Sequence, residues 1–202
     1  HQSLSSSQGE ILSGTPLTLA ETASVFGEML TFQTMLADTR TELERKHMLA
    51  SKVEDMINTV IRQISFYDFE CRIHKRRQSG ELTPTEIGKI WLDISRESLG
   101  PSFEYMKGYE NFWAYVPHFI HSPFYVYAYA FGDGLVNALY SVYKAGNVEF
   151  KNNYFRLLSS GGSKHHSELL KPFQLNASDP KFWSNGLNLI SEMIDELESL
   201  ET

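Results

Sequence analysis

The chain has 202 residues, 42% of them hydrophobic, enough to bury the core of one domain or most of one. Its formal net charge of −7 argues against general nucleic-acid binding, and its one cysteine, Cys71, rules out an internal disulfide and a cysteine-only zinc cage. No apolar run reaches the roughly 18 residues of a membrane span and nothing at the start resembles a signal peptide, which leaves the cytoplasm as the default compartment.

Residues 1–14 are rich in serine and glycine, with few apolar side chains to offset ordering, and read as loop or disordered chain. Thr15 to Glu28 then reads as the start of a helix, with Pro16 on the approach and Leu19, Ala23, Phe26 and Leu30 recurring along one face. Glu21 and Ser24 share a neighbouring face, with Glu28 further along it. Carboxylates in such a setting either face water, meet basic side chains or serve a site. A long helical pattern follows from about Thr41 to Gln78, closing on the basic run Arg72 to Arg77, which suits a solvated helix C-terminus. Thr83-Pro84-Thr85-Glu86 carries a cap, a first-turn proline and a capping-box glutamate, and the helix it opens ends at Gly100-Pro101. His47 and His74 sit in charged helical surroundings and read as surface residues, and Cys71 as a packed thiol.

The stretch from Phe112 to Gly132 holds His118, His121, two prolines and tyrosines at 125, 127 and 129. Ser122-Pro123 is a cap-and-first-position signal, so we read a helix starting there, which puts Tyr125 and Tyr129 on one face and Tyr127 on another. Tyrosines at this spacing serve either as aromatic core with tethered hydroxyls or as a row of hydrogen-bond donors. A short amphipathic run spans Val148 to Leu158. Ser159-Ser160-Gly161-Gly162-Ser163 follows as a turn without the lysine of a phosphate loop. The adjacent His165-His166 lack the spacing for a shared metal on a helix face. Asp179-Pro180 opens a last amphipathic helix whose acidic face includes Glu192, Asp195, Glu196, Glu198 and Glu201.

The run Leu-Ala-Glu-Thr-Ala-Ser-Val-Phe-Gly-Glu, 19–28, resembles the segment carrying the third zinc ligand in the oligoendopeptidase F branch of the thimet-oligopeptidase family. The Pro-His-Phe to Phe-Gly segment, 117–132, is similar to that family's second signature, a loop histidine followed by a tyrosine-rich helix. The Gly161-Gly162-Ser163 turn before the final helices also matches. The resemblance implies an all-α fold, the helical C-terminal part of one metallopeptidase catalytic domain, with long helices lining a substrate channel. It implies Glu21 as a ligand to one zinc ion and Glu28 as a partner that orients a ligand. His118, Tyr125 and Tyr129 would serve the substrate carbonyl and oxyanion, with His121 and Tyr127 as further substrate-binding groups. Aligning the two helical tyrosines puts Gly132 where a third tyrosine stands in the thimet-oligopeptidase branch.

The family's His-Glu-x-x-His does not occur in these residues, and His1-Gln2 looks like the pair just beyond it. The zinc-motif helix is therefore expected upstream of residue 1. The resemblance then implies peptide-bond hydrolysis in short peptides by the intact enzyme. This chain alone would be inactive, without retained zinc, and prone to self-association through a bared channel wall. Its implied partners are short peptides and the N-terminal remainder of the same protein, with no nucleic acid or membrane. The alternative reading is a non-catalytic helical binding or structural module.

Overall fold

The computed structural model describes residues 1–200, and Glu201 of the acidic face lies outside the described residues. These residues form helices and connecting turns, with no strand among them. The helices are α1 (Gln2–Ser5), α2 (Gly9–Leu12), α3 (Thr22–Ala37), α4 (Glu42–Ile57), α5 (Gln63–Arg77), α6 (Pro84–Leu99), α7 (His118–His121), α8 (Tyr127–Lys144), α9 (Phe150–Ser159), α10 (His166–Leu170) and α11 (Pro180–Ser199). The all-α expectation holds. The chain divides into two compact units, one formed by His1–Met56 with the chain from Phe131 onward, the other by Ile57–Ala130.

In the first unit α8 is the enclosed element. Every residue from Gly132 to Tyr140 is buried, as expected of a helix that meets neighbours all round. α11 crosses it at glycines. A Cβ on Gly134 would lie 2.8 Å from the Trp183 ring, and one on Gly186 would lie 3.3 Å from the Gly134 carbonyl oxygen. Asp179 caps α11 by accepting from the Lys181 amide at 2.9 Å, with Pro180 in the first turn, as read from sequence. On α3 the buried stripe is Thr22, Phe26, Met29 and Leu36, and Phe26 packs on the rings of Tyr154 (4.7 Å) and Phe150 (5.6 Å).

Residues 1–14 depart from the loop expectation: they form α1, a 3₁₀ turn and α2. The reason is long-range. Gln8 Nε2 donates to the Ser159 carbonyl at 2.9 Å, and the Gly162 amide donates to the Leu12 carbonyl at 2.8 Å. Gly161 has φ +49, and a Cβ there would fall 2.1 Å from the Leu12 oxygen, so this glycine turn is the seat of the N-terminal segment.

In the second unit α5 and α6 form a helical hairpin over a core of Phe66, Phe69, Trp91, Ile94, Val116 and Val126. The long helical pattern read from about Thr41 to Gln78 forms as one unbroken helical run, α4 and α5 joined by a π-helical turn over Asn58–Arg62. Arg72 bridges the hairpin, donating to both oxygens of Glu97 at 3.0 and 2.6 Å and pairing with Asp68 at 2.7 Å. The capping box at Thr83 forms as read, with the Glu86 amide donating to Thr83 Oγ1 at 3.3 Å and the Thr83 amide donating to Glu86 Oε2 at 2.8 Å. α6 then closes on the turn of Tyr109–Tyr115: a Cβ on Gly88 would sit 2.9 Å from the Glu110 carbonyl oxygen.

Two glycine substitutions separate packing from propensity. Gly88→Ala forces backbone apart and should destabilise by about 1–3 kcal/mol. Gly27→Ala, on α3 with nothing within 4 Å of the new Cβ, should be neutral or stabilise by up to about 1 kcal/mol. Thermal unfolding of the two variants checks this, and equal effects would contradict the close approach at Gly88.

Candidate active site

Glu21 stands where a 3₁₀ turn, Leu17–Leu19, hands over to α3, and it occupies the N-cap with φ −86 and ψ −2. Buried Leu19 and Thr22 anchor the backbone on either side, which leaves the carboxylate half-buried. Ser24 shares its face as read: the Ser24 hydroxyl donates to Glu21 Oε2 at 3.1 Å, leaving Oε1 for another partner. Gly132 lies over it. A Cβ on Gly132 would be 3.4 Å from Glu21 Cβ, an ordinary van der Waals contact.

Glu28, two turns on, pairs with Lys52 of α4, whose side chain is only 8% exposed. Asp55 approaches the same ammonium at 3.6 Å. On α8 Asp133 is buried and accepts from Asn137 Nδ2 at 2.9 Å. Burial pushes its carboxyl up to about 6, against the pull of Lys52 and the Asn137 hydrogen bond. α3, the helix that follows Glu21, is thus tied to α4 by an ion pair whose cation is buried.

The second unit holds the aromatic donors. His118 opens α7, a single turn, while Tyr129 lies in the first turns of α8. The Tyr129 hydroxyl and His118 Nε2 are 3.2 Å apart, in a hydrogen bond whose direction depends on the histidine tautomer. The Tyr125 ring stacks on His118 at 5.3 Å and stands 5.4 Å from Tyr129. These three expected residues therefore come together. A cavity of about 320 Å³ opens against His118 and Tyr129, walled by Gln63, Phe66, Val116 and Pro117.

The route to that cluster differs from the sequence reading. Ser122-Pro123 does not start a helix. The Tyr125 amide donates to the Ser122 carbonyl at 3.1 Å and Phe124 takes φ +62, the arrangement of a type II turn with proline at its second position. α8 begins only at Tyr127. Tyr127 and His121 lie outside the cluster: His121 is exposed, and the exposed Tyr127 sets its ring 5.5 Å from Tyr67. Sequence reasoning missed Glu70. It is 2% exposed on α5, between buried Phe66, Phe69 and half-buried Ile73, and Oε1 accepts from the Phe124 amide at 2.8 Å. A glutamate inside an apolar stripe was the available signal.

The family model described as Peptidase family M3 matches residues 1–189. The chain belongs to peptidase family M3. Among its relatives, the oligopeptidase PepF of Bacillus subtilis (strain 168) is 30% identical over 183 residues, covering 90% of this chain and 27% of the relative. The chromosomal oligoendopeptidase F of Lactococcus lactis subsp. cremoris is 27% identical over 186 residues, covering 92% of this chain and 31% of the relative. The crystal structure of oligoendopeptidase-F from Enterococcus faecium shares the fold with a TM-score of 0.83, at 23% identity, over 98% of this chain and 37% of that one. The chain thus spans about a third of the length of the relatives it matches. No helix among the described residues is long and apolar enough to cross a membrane.

A catalytic zinc site uses three protein ligands and keeps one position open. Among the described residues no group of three His, Cys, Asp or Glu side chains is placed to hold a metal ion. Glu21 fits the part of one ligand, with Oε1 available and glycine above it. The rest of such a set would have to come from other residues of an M3 peptidase.

The buried acid on α8 gives a pH prediction. Its folded value of about 6 lies above the ordinary 3.8, so the folded state holds the proton more tightly than the unfolded one. This contribution to stability is fully present below about pH 4 and is lost as pH rises through about 6, by up to about 3 kcal/mol. Asp133→Asn should remove that slope. The difference in thermal midpoint between variant and wild type should grow in the variant's favour from pH 4 to 6. A constant difference would contradict the burial of the charge.

Proposed function

We propose that this chain is part of a zinc-dependent M3 oligopeptidase that hydrolyses internal bonds of short peptides. In this reading Glu21 is the third zinc ligand, and His118, Tyr125 and Tyr129 bind the substrate carbonyl and the oxyanion. The observation that carries it is the joined cluster of His118, Tyr125 and Tyr129, with the 3.2 Å contact between the Tyr129 hydroxyl and His118 Nε2. Membership of a peptidase family supports it.

The chemistry follows from what these groups can donate. A phenol and an imidazole already oriented by each other need little reorganisation when negative charge develops on the carbonyl oxygen, so they stabilise the transition state more than the ground state. Tyr125, stacked on the imidazole, holds the ring plane and offers a second phenol. The carboxylate of Glu21 brings negative charge and one oxygen ligand, its orientation steadied by the Ser24 hydroxyl. Glu28 acts at a distance, through Lys52, by holding α3 against α4. Zinc, when bound, would polarise the scissile carbonyl and lower the pKa of a water. The cavity beside His118 and Tyr129 has the mixed apolar wall that suits a peptide side chain flanking the scissile bond. On its own the chain would be inactive, because Glu21 is a single ligand and the general base lies elsewhere. No observation favours the competing reading of a non-catalytic helical binding or structural module.

Two measurements on the full-length enzyme test this. Glu21→Gln should lose zinc, read by metal analysis, and peptidase activity with it, whereas retention of both would place the third ligand elsewhere. Tyr129→Phe should lower kcat by about 10²–10³-fold with little change in KM, and an unchanged kcat would remove the phenol from the reaction. The cavity has its own test. Gln63→Trp should cut the preference for a large over a small side chain beside the scissile bond by about tenfold or more, and an unchanged preference would mean the cavity is not a side-chain subsite.

A further inference from the structure

We propose that Glu70 is a positioning residue: its carboxylate grips the Phe124 amide and so fixes the strained turn that presents His118 and Tyr125. The activity readout rests on the function proposed above; the turn itself does not.

A carboxylate that is 2% exposed has lost its water, and an apolar side chain at 70 would complete the stripe of Phe66, Phe69 and Ile73 at no such expense. Its compensation among the described residues is narrow. Oε1 accepts the Phe124 amide at 2.8 Å, while Oε2 is buried with no hydrogen-bond partner. Burial therefore raises the pKa of the acid, offset in part by the Phe124 amide and by His74 and His118.

The partner is unusual in its own right. Phe124 is one of two non-glycine residues with positive φ among the described residues, at +62. It stands third in the turn Ser122-Pro123-Phe124-Tyr125, the position that normally requires glycine or asparagine. A bulky residue there is strained, and such strain persists only where the surroundings hold it. α5 supplies the hold. Tyr67, Glu70 and His74 lie on one face of that helix at spacings of three and four. The Phe124 ring meets the Tyr67 ring at 6.0 Å and the His74 ring at 4.8 Å, with Glu70 between them on the amide.

The turn sets the site. Phe124 directly precedes Tyr125, and the reversal at Phe124 brings the Tyr125 ring back onto His118 at 5.3 Å. Should Phe124 relax to negative φ, Tyr125 would leave the imidazole and His118 would lose the stacked face that orients it. Glu70 touches none of the donor groups by hydrogen bond; it acts through the backbone of the turn.

The test uses the full-length enzyme with Glu70→Leu, which fills the space without an acceptor, and Glu70→Gln, which keeps one. Turnover of a quenched fluorescent peptide and amide hydrogen exchange across 122–126 are read together, with His118→Ala as a control on the functional reading. Glu70→Leu should lower kcat about 10–100-fold with KM within about threefold of wild type. It should also speed exchange of the Phe124 amide by about tenfold or more, and Glu70→Gln should restore both. Wild-type turnover or unchanged exchange in the Leu variant overturns the proposal, as does a Gln variant as impaired as Leu. Exchange that rises throughout α5 and α6 also overturns it, because that marks a merely structural acid. If His118→Ala leaves turnover unchanged, the functional reading fails while exchange at Phe124 still judges the clamp. An unprotected Phe124 amide in the wild-type protein overturns the proposal without any variant.

Discussion

Helix α8 has no free side from Gly132 to Tyr140, and that enclosure governs what its neighbours can carry. α11 reaches it only because Gly134 and Gly186 lack side chains at the crossing, where Trp183 occupies the space a Cβ would need. The approach at Gly132 is looser: a Cβ there would stand in ordinary contact, 3.4 Å, with the Cβ of Glu21, the residue that caps α3. The resemblance to thimet oligopeptidases places a tyrosine at this point in the other branch. In this chain a glycine stands there.

Each of three buried ionisable groups inside the two units has a compensating partner. Lys52 of α4 is met by Glu28 of α3, Glu70 of α5 by the backbone of Phe124, and Asp133 of α8 by Asn137 one turn along and the field of Lys52. Such pairs contribute little net stability against apolar substitutes, but breaking one leaves a charge uncompensated, which makes them sensitive registers of helix placement. In this fold they fall on the helix after Glu21 and on the turn before Tyr125.

Local chemistry in the sequence was sufficient wherever a helix end is decided by its own residues. Thr83-Pro84 with Glu86, and Asp179-Pro180, start helices as read, and the Glu21–Ser24 pairing follows from spacing alone. It failed where a partner far along the chain decides. Ser122-Pro123 has the composition of a helix start, but Glu70, 54 residues earlier, holds the following amide in a turn. Residues 1–14 look unstructured until Ser159 and Gly162 supply hydrogen bonds to them. The π-helical turn at Asn58–Arg62 leaves the apolar pattern of the long helix uninterrupted, so periodicity does not reveal it. At the site the aromatic cluster was legible because a resemblance named it, while Glu70 was hidden by the assumption that apolar stripes are apolar throughout.

The central claim is that Glu21 is a metal ligand and that His118, Tyr125 and Tyr129 face the substrate. The most direct measurement is a crystal structure of the full-length enzyme with zinc and a non-hydrolysable peptide, with the metal located by anomalous scattering. The account predicts a Glu21 oxygen about 2.0–2.2 Å from zinc and the Tyr129 hydroxyl within hydrogen-bond reach of the peptide carbonyl. Zinc bound without Glu21, or a peptide lying away from His118 and Tyr129, would contradict it.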